Sequence, residues 1–173
     1  MSLWRRLLAR PAKPQPMLRL YGAVVEHARA PRWYVEGGVE DSVDGRFDML
    51  ALVMTLVLLR LDSEGEPLRQ AAVDLTERFI DDMDGQLRQI GIGDFVVGKH
   101  VGKMMGALGG RMDAYGSALA GEGDLDAALV RNLYRGNAPE PSALAFVSSE
   151  VRALDGAIRS QPLDRLLNGE LGA

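Results

Sequence analysis

The residues best suited to chemistry stand in two short runs. Gly93-Asp94-Phe95-Val96-Val97-Gly98-Lys99 satisfies the G-x₄-G-K spacing of a phosphate-binding loop. That chemistry needs a strand ahead of the loop, pliant backbone amides around the phosphate, and a hydroxyl residue after the lysine for magnesium. Here His100 follows the lysine, Phe95, Val96 and Val97 are bulky, and the preceding segment has helical spacing. The run reads as a corner between two helices, with Asp94 capping the second and Lys99 in solvent. Asp81-Asp82-Met83-Asp84 looks like half of a magnesium–diphosphate site. One such cluster offers too few ligands. At roughly 100° per residue, moreover, Asp81 and Asp84 share a helical face that Asp82 does not. An ion pair of Asp84 with Arg88, at i and i+4, is the simpler reading. A magnesium-dependent enzyme acting on a phosphorylated substrate through Asp82 and Asp84 is the alternative function it leaves open.

Composition removes other chemistries. The chain has no cysteine, which excludes disulfides, thiolate metal sites and a cysteine nucleophile. Its two histidines, His27 and His100, cannot build a three-histidine site. No nucleophile–base pair or ligand cluster stands out, so no catalytic residue, metal or cofactor is expected. The formal net charge is −4, which gives no reason to expect DNA binding. The charge is unevenly placed. Residues 1–20 hold five basic groups and no acidic one, leaving 15 basic against 24 acidic groups in the remaining 153 residues.

The elements that must position these residues are helical throughout. At 173 residues the chain suits one domain with a continuous core. Apolar residues recur at three-to-four spacing and strand-type alternation is nowhere sustained. The spacing predicts helices over about 17–30, 47–61, 68–90, 97–119, 125–134 and 142–159. This is an all-α bundle of about six helices occupying 17–173, with a loop over 31–46 anchored by Trp33 and Tyr34. Asp44 is placed to cap the second helix and Asp124 the fifth. The longest apolar run, Met49 to Leu59, has 11 residues, well short of the roughly 20 of a membrane span. It reads as a buried core helix.

Pro11, Pro14 and Pro16 set off a basic head, residues 1–16. It lacks a signal peptide's apolar region, so a cytoplasmic location is expected. Leu3, Trp4, Leu7 and Leu8 fall on one helical face, beside Arg5, Arg6, Arg10 and Lys13. Such a head suits shallow, peripheral attachment to the inner membrane, with a frayed terminus as the plainer reading. In the fourth predicted helix Gly98, Gly102, Gly106 and Gly110 lie four apart. Each costs about 1 kcal/mol against alanine. The stripe is therefore expected to pack closely against another helix, foremost 47–61. Met104, Met105, Leu108 and Met112 run beside it, an adaptable apolar surface.

A further signal is the order of short motifs between Leu20 and Leu119. They are Leu20-Tyr21, Arg29-Ala30-Pro31-Arg32-Trp33-Tyr34, Val39-Glu40-Asp41-Ser42-Val43-Asp44-Gly45-Arg46-Phe47, Arg60-Leu61, Asp82-Met83-Asp84, Arg88, Gly91-Ile92-Gly93-Asp94, Val97-Gly98-Lys99 and Tyr115. In this order and spacing the chain resembles the ubiquinol–cytochrome c chaperone family, which assists biogenesis of the cytochrome bc₁ complex. Residues 1–16 and those beyond about 120 fall outside the resemblance. It implies a non-enzymatic assembly factor that binds a hydrophobic membrane-protein client, newly made cytochrome b. Mitochondrial relatives work with a small partner subunit at the ribosome. The missing long targeting extension fits a bacterial member. No catalytic residue carries over. The family's charged positions fall here on Asp41, Asp44, Arg46, Asp82, Asp84, Arg88, Asp94 and Lys99. Asp44, Arg46, Asp82, Asp84 and Arg88 are expected to gather near the 91–94 corner. Met104, Met105, Leu108, Met112, Trp33 and Tyr34 are the candidate client contacts.

Overall fold

The computed structural model describes residues 17–89 and 94–172, without the side chains of 87 and 94–101. Every element among the described residues is helical. Six helices have eight residues or more: α1 (Leu18–Ala28), α3 (Val43–Ser63), α4 (Arg69–Gln89), α5 (Asp94–Leu119), α6 (Leu125–Asn132) and α7 (Pro141–Ser160). Two short ones, α2 (Arg32–Val35) and α8 (Leu163–Leu167), lie in segments whose sequence shows no period. The all-α bundle expected from spacing is the architecture found.

Helix α3 organises the rest. Every residue from Met49 to Leu58 is buried, as expected of a helix apolar on all sides. Its one hydroxyl there, Thr55, is satisfied by donating to the Ala51 carbonyl at 2.7 Å. Around it pack α1, α4, α5 and α7. Helix α1 turns Leu20, Tyr21, Val24 and Ala28 inward. It ends before Pro31, which cannot continue a helical hydrogen-bond ladder. The cap of α3 is Ser42, whose hydroxyl accepts from the Gly45 amide at 3.1 Å, and not Asp44. Asp44 is the second residue of the helix, in its first turn, where its charge still suits the helix N-terminus. Asp124 caps α6 as expected, accepting from Asp126 and Ala127.

The glycine stripe overturns an expectation. Helix α5 does pack against α3, but through another face. Leu108, Tyr115 and Ala118 enter the core, and Gly116 faces Leu59. Gly102, Gly106, Gly109 and Gly110 are exposed, and a Cβ added at any of them would meet nothing within 4 Å. The physical reason is area. Burying a leucine or tyrosine removes far more apolar surface from water than burying a glycine does. Gly98 lies where side-chain surroundings are outside the described residues. Close approach occurs elsewhere: a Cβ on Gly45 would stand 1.9 Å from the Glu40 carbonyl oxygen.

Candidate functional site

The most strongly constrained polar group is Asp48, the single acid at the head of the apolar α3 run. Its carboxylate is 0% exposed. Arg111 of α5 donates to one oxygen at 2.5 Å, and Arg135, in the turn after α6, donates to the other at 2.5 Å. Arg135 also reaches Asp44 at 2.5 Å. Arg111 donates further to the Asn132 and Ala107 carbonyls and stands over the Phe47 ring at 5.8 Å. Tyr134 seals the same turn, donating to the Gly37 carbonyl at 2.6 Å. Arg135 holds a left-handed backbone (φ 53) to make this reach, followed by Gly136 in the same region.

Burial pushes the Asp48 carboxyl up, and the two guanidinium groups pull it part of the way back. The hydrogen bond to Asp48 in turn reinforces the charge on Arg135. Both carboxylate oxygens accept from guanidinium groups, and the side chain is shut off from solvent. The arrangement fastens three parts of the chain together. Sequence reasoning missed it, although a lone acid opening the most apolar helix was its signal.

Among the described contacts, the motif charges Asp41, Asp44 and Arg46 lie apart from Asp82 and Asp84. Asp41 pairs with Arg46 at 2.6 Å on the surface. Asp44 pairs with Arg135. Asp82 accepts from the Tyr21 hydroxyl at 2.7 Å and from Gln86 at 3.1 Å. Asp84 pairs with Arg88 at 2.6 Å, the i, i+4 bridge expected of it. The Asp41–Arg46 pair spans the start of α3, Asp44 joins the Asp48 network through Arg135, and Asp82 and Asp84 are engaged along α4, Asp82 also by Tyr21 of α1. The 90–93 corner and the side chains of Asp94 and Lys99 lie outside the described residues. Among the described residues no group of three His, Asp or Glu side chains could hold a metal ion, and Asp82 and Asp84 do not converge.

Two of the apolar candidates belong to the core. Trp33 is 0% exposed, donates its ring N–H to the His27 carbonyl at 2.9 Å and packs edge-on to Phe146. Leu108 is likewise buried. Large apolar groups next to a continuous core gain more by joining it than by waiting at a surface. Tyr34 is half-buried, its hydroxyl donating to the Ala28 carbonyl at 2.8 Å. His27, beside Trp33, has its pKa lowered by burial and then by Arg32, with Glu150 opposing. Met104 and Met105 are half-buried at the core's edge.

Met112 opens onto something different, a cleft of about 330 Å³. Leu58 of α3 and Ala72 and Val73 of α4 line it with Met112, and Asp62, Arg69 and Glu77 stand around them. A second hollow, of about 430 Å³, runs between α5 and α6 along Gly110, Asp113, Ser117 and Arg131 and is more polar. No described helix is long and apolar enough to cross a membrane. Residues 1–16, with Trp4, Arg5, Arg6, Arg10 and Lys13, lie outside the described residues.

The family model and the solved structure point the same way. The family model described as ubiquinol-cytochrome C chaperone matches residues 35–173. That match reaches past the motifs ending at Tyr115 to the C-terminus. The crystal structure of the Cbp3 homolog from Brucella abortus superposes with a TM-score of 0.78 at 32% identity, covering 98% of this chain and 96% of that one. The comparison with curated proteins finds no match.

Proposed function

The chain belongs to the ubiquinol–cytochrome c chaperone family, and from that premise we propose that it is an assembly chaperone for the cytochrome bc₁ complex that holds newly made cytochrome b. The observation that carries this is the family match over residues 35–173, with the fold of the Brucella abortus protein shared across both chains. One feature supports a binding role over a catalytic one: the buried carboxylate is held by guanidinium groups on both oxygens. The head at 1–16 is read as a peripheral contact with the inner membrane, which would keep the protein near a client that is entering the bilayer.

The test is capture from membranes. Tagged full-length chain is recovered from cells assembling the bc₁ complex, and the co-purifying peptides are identified. Cytochrome b should be enriched, and deleting the chaperone should lower its accumulation. A small partner subunit or ribosomal proteins, as the resemblance implies for mitochondrial relatives, would appear in the same recovery. Recovery without cytochrome b, together with normal cytochrome b in the deletion strain, would sink the reading.

A further inference from the structure

We propose that the cleft between α3, α4 and α5 seats the cytoplasmic end of a client transmembrane helix, where apolar residues give way to lysine and arginine. This rests on the chaperone reading above and adds to it the segment recognised.

The lining supplies both halves of that chemistry. Leu58, Ala72, Val73 and Met112 make an apolar floor. Val73 is 44% exposed, one of few large apolar side chains the bundle leaves in water. Met112 adds an unbranched, polarisable side chain that adapts to irregular partners. Asp62 and Glu77 border the floor, and neither is in an ion pair among the described residues. Arg69 also borders it, but its charge is answered by Glu66 at 2.8 Å. The rim is therefore acidic in sum, above an apolar base.

Membrane-protein segments carry this pattern in complementary form. Cytoplasmic loops are enriched in Lys and Arg close to the ends of the spans. A span's cytoplasmic end thus offers apolar side chains and adjacent cations in a fixed order. At about 330 Å³ the cleft accepts a few large side chains, not a whole span. A contact of this size is weak and reversible, because small interfaces leave little surplus after the cost of association. Reversibility is what handing the client onward requires.

Synthetic peptides provide the test, with the full-length protein. One peptide has a leucine- and alanine-rich stretch ending in Lys-Arg-Lys, a second ends in Glu-Asp-Glu, and a third in Ser-Gln-Ser. Fluorescence anisotropy should rank the basic peptide first. Two exposed ion pairs correspond to about three- to tenfold in affinity. The preference should shrink with added salt. Asp62→Lys with Glu77→Lys should reverse it, and Val73→Asp should weaken all three peptides. These side chains are exposed, so the variants should melt like the parent, and thermal melts confirm that each is folded. Equal binding of the three peptides, or a preference untouched by the charge reversals, overturns the proposal. So does a chain starting at Met17 that gains about tenfold for the basic peptide by the same scale, because the cleft would then belong to the chain's own basic head. Cytochrome b capture without peptide discrimination removes the cleft and leaves the chaperone reading standing. Peptide discrimination without capture does the reverse.

Discussion

Arg111 meets Asp48 at 2.5 Å across 63 residues of sequence, in the interior of the bundle. The bond joins the first turns of α3 to the middle of α5. Removing one partner of a buried pair leaves the other charge uncompensated, at a cost of about 3–5 kcal/mol. Arg111→Leu should lower the urea-unfolding free energy by about 3 kcal/mol, toward the smaller end because Arg135 still holds the carboxylate. Arg46→Ala, which removes an exposed pair with Asp41, should leave the unfolding midpoint where it is. Equal effects of the two substitutions would contradict the buried assignment.

The glycines of α5 and α3 should respond in opposite directions. Gly106→Ala fills open space on an exposed helix face and should stabilise by about 0.5–1 kcal/mol. Gly45→Ala drives a methyl into the Glu40 carbonyl oxygen and should destabilise by at least about 1–3 kcal/mol, as overpacking does. Thermal melts of the two variants decide it. A lower midpoint for Gly106→Ala would mean that the exposed face is covered.

Stability should depend on His27 at mildly acidic pH. Burial, then Arg32, lowers its pKa in the folded protein, with Glu150 opposing. An unfolded histidine titrates near about 6.5. Below that value the unfolded chain takes up the proton more readily, so stability falls as pH drops through the window down to the folded pKa. Above it the contribution is constant. Urea midpoints at stepped pH should show this slope, and His27→Gln should flatten it.

All four tyrosines have raised pKa values. Burial is the largest cause for each, and Tyr21 adds its bond to Asp82. Tyr134 is pushed up to about 12. Native protein should therefore show little tyrosinate absorbance near the ordinary value of about 10. Protein in urea should titrate there. Coincident native and unfolded titrations would mean that the phenols are solvated.

The basic head makes its own prediction. Lys and Arg near an anionic surface contribute about 1 kcal/mol each. Full-length protein should sediment with anionic liposomes at low salt and release at high salt, while a chain starting at Met17 should stay in solution. Equal sedimentation of both would place the membrane contact elsewhere.

What could be read from sequence depended on distance along the chain. The 11-residue apolar run announced α3, and Asp84 with Arg88 announced a bridge one turn long. The Asp48 pairings, separated by 63 and 87 residues, left only the lone acid ahead of the apolar run as a trace, with nothing local to name its partners. Glycine spacing put Gly102, Gly106 and Gly110 on one exposed face of α5, but periodicity alone does not say which way a face points. Trp33 read both as an anchor of the 31–46 loop and as a candidate client contact. The backbone there folds back so that Val39 donates to the Trp33 carbonyl, and the ring is covered. Motif order reached the family, which helical spacing alone could not.

The position of Arg135 also sets a timetable. At about 5–20 residues per second, the 87 residues from Asp48 to Arg135 take about 4–17 s to translate. Throughout that interval α3 already exists as chain, apolar on every side, while a cation that secures its only buried acid is still unmade. A protein proposed to shelter unfinished membrane proteins is itself unfinished in the same way during its own synthesis. Translation halted before residue 135 leaves it with a client's problem, an apolar helix waiting for cover.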